Sequence, residues 1–118
     1  GLENIQLKAA YQRVTYNLGN RNYMAKQYAN AIDAYRKSLL HRIDPEIAAL
    51  SHFWLAESYY QMMEFEEALK AHQVFQNQPS AINLPEYALS LYGMGYSQYK
   101  LQNFAAAATT FRKFVAER

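Results

Sequence analysis

His41, His52 and His72 are the only imidazoles in this chain, and no cysteine accompanies them. Zinc is held by His and Cys at short fixed spacings such as HExxH. These histidines stand 11 and 20 residues apart with no such pairing, so each is expected to pack or to sit at the surface. Glu64, Glu66 and Glu67 cluster where a helical pattern begins, and there carboxylates complement the positive end of the helix dipole. Arg36, Lys37 and Arg42 read as an outer, solvated face. No glycine-rich phosphate loop, nucleophile elbow or acid/base pair is present, so no catalytic residue, metal or cofactor is assigned and the chain reads as a non-enzyme. What remains are the aromatics: 11 tyrosines, 6 phenylalanines and Trp54. Tyrosine suits faces that are half-buried and wet on one side, which is the chemistry of recognition.

Such rings need elements to hold them. Apolar residues make up 51% of the 118 and charged residues 19%, a composition that buries a core instead of remaining disordered. The net charge of +2 is too small to argue for a nucleic-acid or membrane partner. No apolar run approaches the ~20 residues of a membrane helix. No signal peptide is visible, and the compartment is left open. The chain opens on Gly1, which points to an excised piece of a longer protein or a trimmed tag.

β-Branched residues are scarce and do not alternate, whereas apolar residues recur three and four apart, so the fold class is all-α. Six helices are expected: Leu2 to Ala25, Tyr28 to His41, Glu46 to Met62, Phe65 to Gln76, Pro85 to Leu101 and Phe104 to Glu117. Asp44 caps the third, with Pro45 in its first turn and Glu46 at the dipole's positive end. Residues 77 to 86 carry Pro79 and Pro85 and must form a loop. The other breaks are tight, as in antiparallel helix hairpins.

The hairpins repeat. YNLGNRNYMAKQYANAI from Tyr16 aligns without a gap with FWLAESYYQMMEFEEAL from Phe53 and YGMGYSQYKLQNFAAAA from Tyr92. Ala31, Ala68 and Ala107 share a column, 37 and 39 residues apart. Leu18, Leu55 and Met94 fall on the first helix's core stripe. Gly19, Ala56 and Gly95 supply a small side chain for close helix approach, and so explain one glycine of a pair that would otherwise weaken a helix. Tyr28, Phe65 and Phe104 open each second helix as wedges, and Tyr35, His72 and Phe111 lie one turn beyond the small alanines.

This pattern resembles the tetratricopeptide repeat, whose signature runs large residue, Leu-Gly, aromatic, Ala and a later aromatic. The resemblance covers about residues 12 to 118 and implies a right-handed superhelix of three helix-turn-helix units, at about 12–48, 49–87 and 88–118, with residues 1–11 extending the first helix. The spacing exceeds the usual ~34 residues, and the extra length is expected around Arg42 to Pro45 and Asn77 to Leu84. Those longer units look most similar to repeats of bacterial envelope-associated proteins. Where the family often has a second alanine, this chain has Ser38, Phe75 and Phe114, and the phenylalanines are expected to push the next helix outward.

By resemblance, the first helices line a concave groove that binds an extended or helical segment of another protein. The positions matching that face are Arg13, Tyr16, Asn17, Asn20 and Tyr23 in the first unit. The second contributes Phe53, Trp54, Glu57, Tyr60 and Gln61, and the third Tyr92, Gly93, Tyr96, Tyr99 and Lys100. Arg13, Glu57 and Lys100 would set polarity, and two cations against one carboxylate fall short of the basic groove that nucleic-acid binding needs. Gly93 is expected to leave a hollow beside Trp54, framed by Tyr92 and Tyr96, which Gly93→Leu would fill without unfolding the domain. The family's carboxylate clamp is not matched, because its columns hold Tyr16, Asn20, Trp54, Leu89 and Gly93 and only Asn20 fits. Alternatively the rings pack between adjacent helices and the chain is a structural spacer or self-association scaffold. Phe111, Phe114 and Val115 would then pair with another copy, or be covered by a further segment.

Overall fold

The computed structural model describes residues 1–117. Among them are six α-helices and no strand: α1 (Leu2–Met24), α2 (Tyr28–Ser38), α3 (Pro45–Gln61), α4 (Phe65–Gln76), α5 (Glu86–Lys100) and α6 (Phe104–Glu117). They form three antiparallel hairpins that stack into a solenoid 49 × 28 × 19 Å. Each hairpin touches the next through its second helix, α2 against α3 and α4 against α5. On one side α1, α3 and α5 also touch one another in order, so the first helices line a common face.

Every hairpin turn is built alike. Lys26, Met63 and Gln102 adopt left-handed backbone with φ of 61°, 59° and 63°. The following amides reach back five residues, Gln27 N–H to Asn22 O, Glu64 to Tyr59 and Asn103 to Gln98, each at 2.9 Å. This is a Schellman closure, which satisfies carbonyls that a helix end would otherwise leave orphaned. The wedges recur beside it: Tyr23–Tyr28, Tyr60–Phe65 and Tyr99–Phe104 meet edge-on at 5.3, 5.2 and 5.6 Å.

The small column behaves as its spacing predicts. A Cβ on Gly19 would stand 2.5 Å from the Tyr35 ring, and one on Gly95 would stand 2.6 Å from Phe111. In the second hairpin the ring of that column is the smaller imidazole of His72, and there Ala56 is accommodated, fully buried. Leu55 is buried on the core stripe with Ile32, Tyr35 and Ala68. Its counterpart Leu18 is 46% exposed, since among the described helices α1 packs only against α2 and α3.

The added length lies in the two inter-hairpin loops. α2 stops at Ser38, three residues before His41, where the Ser38 hydroxyl donates to Tyr35 O at 2.7 Å and pairs with Ser51 Oγ at 2.7 Å. The first loop is bracketed from α1 by fully buried Gln12, whose amide donates to Asp44 O at 2.9 Å and accepts from Asp44 N at 2.8 Å. Asp44 then caps α3, accepting from the amides of Glu46 and Ile47. In the second loop a 3-10 turn at Ala81–Asn83 brings Ala81 onto Phe75, Phe53 and Ala49. The room that bulky Phe75 needs is thus supplied by the inserted turn, and α4 still packs directly on α5.

Candidate functional site

Two hollows open on the side of the first helices. The larger, about 370 Å³, lies between α1 and α3 and is walled by Tyr16, Asn20, Tyr23, Met24, Trp54 and Glu86, with Tyr35 behind. Trp54 stands edge-on to Tyr23 at 5.0 Å and to Phe53 at 5.0 Å, which fixes the indole between groove and core. The Tyr35 hydroxyl donates to Asn20 Oδ1 at 2.7 Å and holds that amide in place. Burial raises the phenols of Tyr16 and Tyr23, so both remain protonated hydrogen-bonding groups in neutral water.

The smaller hollow, about 190 Å³, is lined by Glu57 and Tyr60 of α3 and by Tyr92, Gly93 and Tyr96 of α5. Tyr92 and Tyr96 lie 5.0 Å apart with rings tilted by 58°, and Phe111 backs them both. At its base Glu57 Oε1 is 4.0 Å from His72 Nε2, too far for a hydrogen bond. His72 is fully buried, and its Nδ1 meets Ser90 Oγ at 2.8 Å. Ser90 Oγ also accepts from Gln76 Nε2 at 3.1 Å, and in the tautomer in which Ser90 donates to Nδ1 the ring proton resides on Nε2. That Nε2 has no hydrogen-bond partner. Burial lowers His72 to about 4 and raises Glu57 to about 7, so the two do not form a charged pair near neutrality.

Several groove assignments change. Phe53 is 2% exposed and packs on Phe75 and His72 as core, not as groove lining. Arg13 turns to Asp44 at 3.6 Å, in a separate dent with Ala9, Ala10 and Pro45. Asn17, Gln61 and Lys100 are exposed but line neither hollow, and Tyr99 packs on Phe104 at the turn. The hollow at Gly93 is beside Glu57, not Trp54, and a Cβ at 93 would stand 2.5 Å from His72 Nε2. Gly93→Leu therefore strains the core as well as filling the hollow. Met24, Tyr35 and Glu86 line the larger hollow although none was among the expected groove residues, and of these Glu86, in the first turn of α5, is the one that brings charge. With it, each of the two hollows carries one carboxylate and no cation among its lining residues.

Other placements bear on the surfaces. Arg36, expected to be merely solvated, donates to the Tyr59 hydroxyl and lies 5.6 Å from that ring's centroid. Phe111 packs against Gly95, Tyr92 and Tyr96 within its own hairpin, and Phe114 lies 5.4 Å from Tyr92. Of the three residues expected to form a self-pairing face, Val115 is the exposed one, at 69%.

The Tetratricopeptide repeat family model matches residues 89–118, which hold α5 but for its first three residues and all of α6. A search of the curated proteins found no match. Such repeats are generally protein–protein interaction modules. The matched hairpin shares its left-handed turn and its aromatic wedge with the two before it, and two of the three share the ring-on-glycine contact. The chain is a helical-repeat protein whose last hairpin matches the tetratricopeptide repeat, and the two findings together support a protein of that type.

Proposed function

We propose that this chain is a non-catalytic binding module that holds an extended or helical segment of a partner protein along the face of α1, α3 and α5. One observation carries the reading: two hollows walled by aromatic rings, each with a carboxylate, open on the same side of the stack. Rings that are fixed by neighbours offer contact area at little entropic cost, which is what makes Tyr and Trp effective anchors. Tyr23, Trp54, Tyr92 and Tyr96 are held in this way by edge-on or tilted partners.

Selection of a random-peptide library on the 118-residue chain tests this. Enriched peptides should bind in the micromolar range, near about −8 kcal/mol. Trp54→Ala with Tyr96→Ala should abolish that binding while the far-ultraviolet helical signal persists. Peptides that bind the double variant undiminished would remove the groove assignment.

A further inference from the structure

We infer that the smaller hollow receives a cationic side chain, lysine or arginine, from the partner segment, an inference that rests on the groove reading above. The hollow presents Tyr60, Tyr92 and Tyr96 around the Glu57 carboxylate, with no cation among its lining. Ring faces attract ammonium and guanidinium groups, and the attraction grows as water is removed. A carboxylate at the base supplies the counter-charge and a direct hydrogen bond.

The base of the hollow is incomplete in the free chain. His72 Nε2 is fully buried, lacks a partner and fills the space left by the missing Cβ of Gly93, directly behind the hollow's Gly93 wall. Glu57 Oε1 lies 4.0 Å from it and 3.2 Å from where that Cβ would be, so the glycine lets the buried imidazole stand behind the carboxylate that lines the hollow. An apolar side chain placed there would bury the carboxylate without a partner, which is costly. An acidic one would meet Glu57 directly. A cation lets Glu57 ionise, and the ionised carboxylate then stands as an acceptor beside His72 Nε2 in its protonated tautomer. The larger hollow has Glu86 at its edge in place of a buried base, and no orphaned polar atom is found there among the described residues.

The test uses peptides selected on the intact chain, synthesised with acetylated amino ends and titrated calorimetrically beside versions in which the basic residue is methionine. The selected peptides should share a lysine or arginine. Its replacement should weaken binding to the wild type by about tenfold, and Glu57→Gln should weaken the basic peptide alike while leaving the methionine version unchanged. Circular dichroism of Glu57→Gln should match the wild type. Peptides that need Trp54 but no basic residue, or that ignore Glu57→Gln, overturn the cation site and leave the groove standing. Binding that vanishes on acetylation assigns the hollow to an amino terminus and overturns the side-chain assignment. A library without groove-dependent binders overturns both readings.

Discussion

Glu57 is a residue whose function and stability pull in opposite directions. Burial raises its folded pKa to about 7 from the model-peptide value of 4.5. Between those values the folded chain holds a proton that the unfolded chain has released, so the Glu57 contribution to stability falls as pH rises. His72 and His52, both lowered by burial to about 4, act in the other direction. They bind protons more readily when unfolded, so their contribution is lost as pH drops from about 6.5 towards 4 and is retained above that range. Glu57→Gln isolates the first effect. It should be more stable than wild type by roughly 1–3 kcal/mol at pH 8, the difference shrinking to nothing below about pH 4.5. Urea melts of both proteins across that range check it; a difference that grows in acid would mean that Glu57 is ionised and well paired in the free fold. In the bound protein the inferred cation removes the penalty, which gives a reason for a buried carboxylate that the fold alone would do better without.

At the scale of the element, the three turns show what a sequence reveals and what it hides. The column of Gly19, Ala56 and Gly95, the wedges and the Asp44 cap were all legible, because each depends on residues a fixed number of places apart on one or two helices. The left-handed residues at the turns were not, since Lys26, Met63 and Gln102 share no type that advertises positive φ. Glu86 escaped for a different reason: its place in the larger hollow depends on where the second loop sets α5 against α1 and α3, and local periodicity says nothing about that. Phe53 was misread because Ala81, from the inserted turn, covers its end of the groove face. The turns yield a direct prediction. A side chain in the left-handed region costs about 1–2 kcal/mol that glycine avoids, partly offset by glycine's greater freedom when unfolded. Lys26 is exposed and its side chain makes no hydrogen bond or ion pair that α1 or α2 requires. Lys26→Gly should therefore raise stability by about 0.5–1 kcal/mol and the melting temperature by a few degrees. A lowered melting temperature would show that the turn is held by the lysine and not by its backbone bonds.

At the scale of the whole molecule, identical columns need not carry identical energies, because a solenoid stabilises each unit through its neighbours. Leu18 and Leu55 occupy the same column of successive hairpins. Leu55 is 8% exposed, held between α2 and α4 with Ile32, Tyr35 and Ala68, whereas Leu18 is 46% exposed on the outer side of α1. The same asymmetry marks Tyr11 and Val14, whose columns in the second hairpin hold fully covered Ala48 and Ser51. Residues that pack inward in the middle of the stack thus face solvent at its first hairpin, and repeat position alone mispredicts their worth. Leu55→Ala should cost about 2–4 kcal/mol, the range for a truncated core leucine that leaves a cavity. Leu18→Ala should cost less than about 1 kcal/mol, as expected for a half-exposed side chain with few partners to lose. Equilibrium denaturation of the two single variants, at concentrations low enough to keep the chain monomeric, measures the contrast. Equal losses would require Leu18 to be covered in solution, and dilution would then separate a second copy from a contact within the chain, since only the former weakens as the protein is diluted.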